Sequence, residues 1–142
     1  MHTGGTPMQK FLRLEFIAQS PDLGLLVLRL WLGGSMLWLH GWGKLMSLFA
    51  GKTSFADPLG FGEIPSFLLV ILAEVGCSVL LVLGLGTRLA ALALAFTMGV
   101  AFFVVHGAKF SGLGNGELAW IYLVGYVVLF IAGAGKFSLD KK

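Results

Sequence analysis

A chain of 142 residues, 57% hydrophobic and 12% charged, with a mean hydropathy of +0.90, carries about half the charge of an ordinary soluble domain. Its length suits one domain, and its composition makes lipid the solvent of that domain. A net charge of +3 spread over scattered basic residues excludes a nucleic-acid surface. The single cysteine, Cys77, excludes an intrachain disulfide framework, a CxxC pair and a thiolate-rich zinc site.

Residues 1–22 are too polar to span a bilayer, but Phe11, Leu12, Phe16 and Ile17 beside Lys10 and Arg13 predict a short interfacial helix. No cleavable signal peptide is expected, because the first apolar stretch starts late, is long, and has no small-x-small site behind it. A transmembrane helix needs about 20 mostly apolar residues. Four stretches qualify: 23–40, interrupted by Arg29; 64–85, interrupted by Glu74; 89–106; and 117–134. The last two carry no formal charge beyond Glu117 at the start of the fourth. Strands are excluded, since the apolar residues come in unbroken blocks rather than alternating.

The joints agree with this division. Gly84-Leu85-Gly86-Thr87-Arg88 reads as a tight turn, and Phe110-Ser111-Gly112-Leu113-Gly114-Asn115-Gly116 as a breaker cluster. The longest loop, 41–63, returns through Asp57-Pro58, and Pro65 suits the first turn of the next helix. The expected fold is all-α: an integral membrane four-helix transmembrane bundle with a short N-terminal interfacial helix. It divides into a cytoplasmic segment 1–22, a four-helix domain 23–136 and a cytoplasmic tail 137–142.

Lys10, Arg13, Arg88, Lys136, Lys141 and Lys142 fall on one side of such a bundle, and Lys44, Lys52 and Lys109 on the other. The positive-inside rule places both termini in the cytoplasm, with an inner-membrane location. Trp38, Trp42 and Trp120 then mark the outer interface. A weak internal echo relates the first and third helices: His40-Gly41 and His106-Gly107 each follow a glycine (Gly33, Gly99) seven residues before the histidine. Ala91, Ala95 and Gly99 form a small-residue stripe suited to close packing.

A charge in mid-membrane is costly, by about 2.5–3.5 kcal/mol on insertion scales. Arg29 lies eleven residues before His40, and Glu74 ten residues after Ile64. At 1.5 Å per residue both sit about 15 Å below the outer surface, which predicts an Arg29–Glu74 ion pair facing the interior. The same face of the first helix carries Gly33, Met36, His40 and, if the helix continues, Lys44. His106 and Glu117 sit at the outer ends of their helices. The expected ligand-binding set is therefore Arg29, Glu74, His40, Lys44, His106 and Glu117, with no catalytic residue and no metal. Each of these has a plainer reading, since Arg29–Glu74 could serve helix register alone and terminal His and Lys residues often only meet headgroups. Cys77 and Ser78 share the face of Glu74. A metal set of His40, His106 and Glu117 lacks any tight ligand spacing, and Gly133-Ala134-Gly135-Lys136 ends a helix rather than opening one, which excludes a phosphate loop.

The ordered set of an Arg in the first helix, His40-Gly41-x-Gly43-Lys44-Leu45, an embedded Glu74, Leu83-Gly84-Leu85-Gly86-Thr87-Arg88-Leu89-Ala90-Ala91, His106 and the closing Gly133-Ala134-Gly135-Lys136-Phe137-Ser138-Leu139-Asp140 resembles the DoxX family. These are small four-helix membrane proteins of bacteria and archaea, and the resemblance runs over about residues 25–140. Gly76-Cys77 departs from the paired glycines common in that family. The resemblance implies a link to thiosulfate:quinone oxidoreduction, to oxidative-stress complexes with soluble redox partners, or to quinone-related detoxification, with more distant relatives in cargo export or receptor assembly.

The leading expectation is a redox-associated membrane subunit that binds quinone or a lipid-like ligand at a polar pocket built on Arg29 and Glu74. It has no intrinsic cofactor and is not an enzyme on its own, so a soluble or membrane redox partner would bring the electrons, and a homo-oligomer is compatible with it. The alternative is a non-catalytic assembly or scaffolding protein, motivated by the incomplete catalytic constellation. A small-solute carrier ranks last, because four short helices leave little room for alternating access.

Overall fold

The computed structural model describes residues 6–140, which are all-helical with no strand. A first helix, α1 (Pro7–Leu12), opens on a capping box in which Thr6 and Gln9 exchange side-chain and backbone hydrogen bonds. Its apolar residues Met8, Phe11 and Leu12, and Phe16 after it, are exposed, as an interfacial segment requires. The long helices follow: α2 (Pro21–Phe49), α3 (Glu63–Leu83) and α4 (Thr87–Val105), each long and apolar enough to cross a membrane. The last, α5 (Glu117–Ala132), is apolar but only 16 residues long, about 24 Å at 1.5 Å per residue. Together they form the helical membrane bundle expected from the composition.

The predicted boundaries shift at several ends. The third and fourth predicted spans, 89–106 and 117–134, become 87–105 and 117–132, and the second, 64–85, becomes 63–83. The large change is in the first, which does not stop at residue 40 but continues to Phe49. Gly41 and Gly43 look like breakers in the sequence. Gly41 instead keeps a right-handed helical backbone, φ −74° and ψ −42°. Its lack of a side chain serves packing: a Cβ there would lie 2.8 Å from the backbone oxygen of Glu74 on α3. Gly33 packs in the same way against Ser78, where a Cβ would lie 2.9 Å from the backbone oxygen. Gly99, its counterpart in the internal echo, has no neighbour that near, so the two glycines do different work.

These contacts set the antiparallel register of α2 and α3. Residue 41 lies against 74 and residue 33 against 78. Each helix also widens by a π-turn at this level, Met36–Gly41 in α2 and Leu72–Cys77 in α3, a distortion that tends to accompany functional sites. Gly41→Ala pushes a methyl group into the α3 backbone at Glu74, an overpacking worth about 1–3 kcal/mol. A lowered thermal midpoint of the detergent-solubilised variant checks it; Gly43→Ala, which meets nothing, leaves the midpoint in place.

The core runs between α2, α3, α4 and α5. Leu32 and Met36 of α2 and Leu81 of α3 meet Ala90, Ala91, Leu94 and Phe102 of α4 and Tyr126 and Leu129 of α5. Ala91 and Ala95 of the small-residue stripe are buried, which lets α4 and α5 lie close along their length. At the Arg29 end, the segment after α5 folds back over the bundle. Asp140 accepts from the amides of Gly86 (2.7 Å) and Thr87 (3.0 Å), the orphan donors that open α4. Asp22 accepts from the Lys136 amide at 2.9 Å, and Arg88 donates to the Phe130 carbonyl in the last turn of α5 at 2.9 Å.

Candidate functional site

Polar side chains gather at two places along the bundle, and the predicted Arg29–Glu74 pair does not form, because Arg29 belongs to one and Glu74 to the other. Arg29 is fully buried at the end where the α3–α4 turn meets the C-terminal segment. Its Nη1 donates to the Ala134 carbonyl at 2.9 Å and its Nη2 to the Phe137 carbonyl at 2.6 Å. Gly84, at φ +70°, is needed there on two counts. The backbone is left-handed, and any Cβ would collide with the guanidinium and with Ser138. The segment 133–140 is thus a cradle for Arg29.

The reason for the mismatch is the helix end. His40 lies level with Ile64 only if α2 ends there, and α2 continues nine residues beyond His40. That shifts the register by about 14 Å and carries Arg29 away from Glu74.

Glu74, buried, pairs instead with Lys44: Nζ donates to Oε2 at 2.6 Å. The geometry follows from helix stereochemistry. Side chains lean toward the N-terminus of their helix, so Lys44, one turn above the Gly41–Glu74 contact, reaches back down to it. The same Nζ lies 3.4 Å from the His40 carbonyl. The π-turn of α3 holds Glu74, and that of α2 holds His40 and ends at Gly41.

The ion pair borders a cavity of about 550 Å³ between α3 and α4, inside the usual range of about 300–1,000 Å³ for small-molecule sites. Its walls are mostly apolar, with Ala73, Phe96, Met98 and Ala101 among them; Thr97, Cys77 and Ser66 add polar atoms, and the loop residues 55–61 close one end. His106 also lines it, with Nδ1–H donating to the Gly114 carbonyl at 2.7 Å.

Of the six predicted ligand residues, the structure brings Lys44, Glu74 and His106 to this cavity. His40 stands beside it, its backbone holding Lys44 while its ring meets Tyr122 edge-on at 5.6 Å. Arg29 lies at the other end, and Glu117 is exposed at the start of α5. The His40, His106 and Glu117 metal set is therefore not assembled, and no group of three or more His, Cys, Asp or Glu able to hold a metal occurs among the described residues.

Sequence reasoning missed the roles of Thr97, Ser66 and the loop. Asp57-Pro58 and Pro65 mark the return of the loop in the sequence, and Asp57 is its anchor. Oδ1 accepts from the Phe61 amide (2.9 Å) and the Ser66 hydroxyl (2.7 Å), and Oδ2 from the Gly62 amide (2.8 Å).

The Ser66 hydroxyl and then the Gly62 amide hold the Asp57 carboxyl below the usual range. The Thr87 amide leads the same effect on Asp140, with Gly86 and the Arg29 charge adding to it. A folded-state pKa below the unfolded one, near 3.9, gives stability that is present above that value and lost as pH falls through the folded one. Thermal unfolding is expected to be flat from about pH 7 to 5 and to weaken below about pH 4. In Asp140→Asn, part of that acid-side fall disappears.

A family model described as DoxX matches residues 24–107, a stretch that holds the whole Lys44–Glu74 cavity. An uncharacterized protein of Haemophilus influenzae is 34% identical over 116 residues, 75% of this chain and 81% of the relative. A second from the same organism is 40% identical over 63 residues, 43% of this chain and 42% of that relative. No solved structure matches the chain.

Proposed function

The chain belongs to the DoxX family of helical membrane proteins, and we propose that it is a quinone-binding membrane subunit whose site is the α3–α4 cavity. The observation that carries this reading is the Lys44–Glu74 pair, a cation and a carboxylate 2.6 Å apart on the wall of a mostly apolar cavity. Lys44 donates to a carbonyl oxygen of the bound ring, and Glu74 holds Lys44 in place and relays one of the two protons that accompany the two electrons between quinone and quinol. His40 fixes the Lys44 ammonium through its carbonyl. Electrons come from a soluble or membrane redox partner, since Cys77 has no second thiol with which to carry them.

In this reading Lys10, Arg13, Arg88 and Lys136 face the cytoplasm, both termini lie there, and the cavity sits toward the outer face of the inner membrane.

Titration of decyl-ubiquinone into the protein in lipid nanodiscs tests the proposal. Saturable binding that weakens about tenfold in Lys44→Met, as loss of one charged hydrogen bond implies, and is unchanged in Lys52→Gln supports it. Equal affinity of wild type and Lys44→Met overturns it.

A further inference from the structure

The cavity has two boundaries of different character. Toward the end of the bundle it is covered by the 55–61 segment of the loop between α2 and α3, with Phe55, Pro58, Leu59 and Phe61 on its wall. This cover is pinned twice: by the three hydrogen bonds of Asp57 to Phe61, Gly62 and Ser66, and by Phe55 against the Phe67 ring at 5.2 Å. Between the helices the boundary is different. Leu69 and Leu72 of α3 and Phe96 and Val105 of α4 line the cavity and are each more than half exposed. All four lie on spanning helices, so their exposed faces meet acyl chains. The crevice between α3 and α4 opens sideways into the bilayer.

We propose that the site is loaded laterally from the membrane between α3 and α4, and that residues 55–61 are a lid sealing its aqueous end. Its ligand class follows: an amphiphile with one prenyl or acyl chain, its polar head at Lys44–Glu74 and its tail leaving between Leu72 and Phe96. A water-soluble solute has no route in while the lid is pinned. The polar head rests on the reading given above, but the route does not.

Cys77, the single thiol of the chain and part of the cavity wall, reports the route directly. In nanodiscs, where both faces meet water, the labelling rates of an alkyl-chain maleimide and a sulfonated maleimide are compared without any quinone. Val128→Cys and Lys52→Cys, each in a Cys77→Ser chain, calibrate the two reagents at a lipid-facing and a water-facing thiol. The alkyl reagent is expected to label Cys77 within about tenfold of its rate at the lipid-facing control, and the sulfonated one to be slower than at the water-facing control by about a hundredfold.

Asp57→Ala and Phe55→Ala each remove one pin, and each raises the sulfonated rate by about tenfold, with the alkyl rate little changed. Two variants acting on unrelated contacts keep the result readable if one folds poorly. Labelling of wild type by the sulfonated reagent at the water-facing rate overturns the lid. Failure of the alkyl reagent to reach Cys77 overturns the lateral route. If labelling behaves as expected and decyl-ubiquinone does not bind, the route stands and the quinone reading falls.

Discussion

Replacing Arg29 by methionine is expected to lower the stability of the solubilised protein by about 3 kcal/mol, the lower end of what two hydrogen bonds from a charged donor contribute. The variant keeps the volume of the side chain and removes its donors. The Ala134 and Phe137 carbonyls then lose their partners at 2.9 and 2.6 Å, and the Asp140 carboxylate loses its neighbouring positive charge. Loss of the cradle also frees the segment that caps α4 through Gly86 and Thr87. Two measurements separate this from a role in ligand binding. Thermal unfolding falls, while decyl-ubiquinone affinity of the folded fraction stays at the wild-type value. A variant as stable as wild type would show that the guanidinium does not hold the C-terminal segment.

The second large effect concerns Lys44 and Glu74 taken together. Removing one partner strands the other charge in a low-dielectric wall, at a cost of about 3–5 kcal/mol for a fully buried pair. Here the figure falls toward about 2 kcal/mol, because Lys44 is a quarter exposed and screening offsets part of the loss. Lys44→Met and Glu74→Leu should each destabilise by that amount, and the double variant should recover to within about 1 kcal/mol of wild type. The recovered double variant is the informative protein. It folds with an apolar wall and is expected to lose ligand binding, which a register-setting role alone does not predict. Calorimetric or thermal unfolding of the four proteins, with binding measured on each, completes the cycle.

Much of the fold was legible in the sequence because hydrophobic blocks of spanning length leave few other solutions. The α3–α4 turn at Gly84 and Gly86, and Pro65 in the first turn of α3, fell where local chemistry put them. The site was legible as a list of residues and not as a set of partners. Lys44 and Glu74 were both candidates, yet pairing Arg29 with Glu74 depended on where α2 ends. Gly41 carries no mark in the sequence that separates a helix breaker from a helix contact, and only the packing of α3, which leaves no room for a Cβ there, decides between them. The same limit hid the closing Gly133-Ala134-Gly135-Lys136-Phe137-Ser138-Leu139-Asp140 stretch. Its backbone carbonyls serve Arg29, and carbonyls leave no trace in residue identity.

The cradle around Arg29 has a consequence for how the protein is made. Its two acceptors lie 105 and 108 residues downstream of the guanidinium. During synthesis α2 is delivered to the bilayer with a guanidinium whose carbonyl acceptors do not yet exist, and it stays so until residues 134–137 have been made. The insertion machinery or local water must shelter it in the interval. The bundle reaches its final form only when the 133–140 stretch docks, so a change there strikes the earliest helix of the bundle.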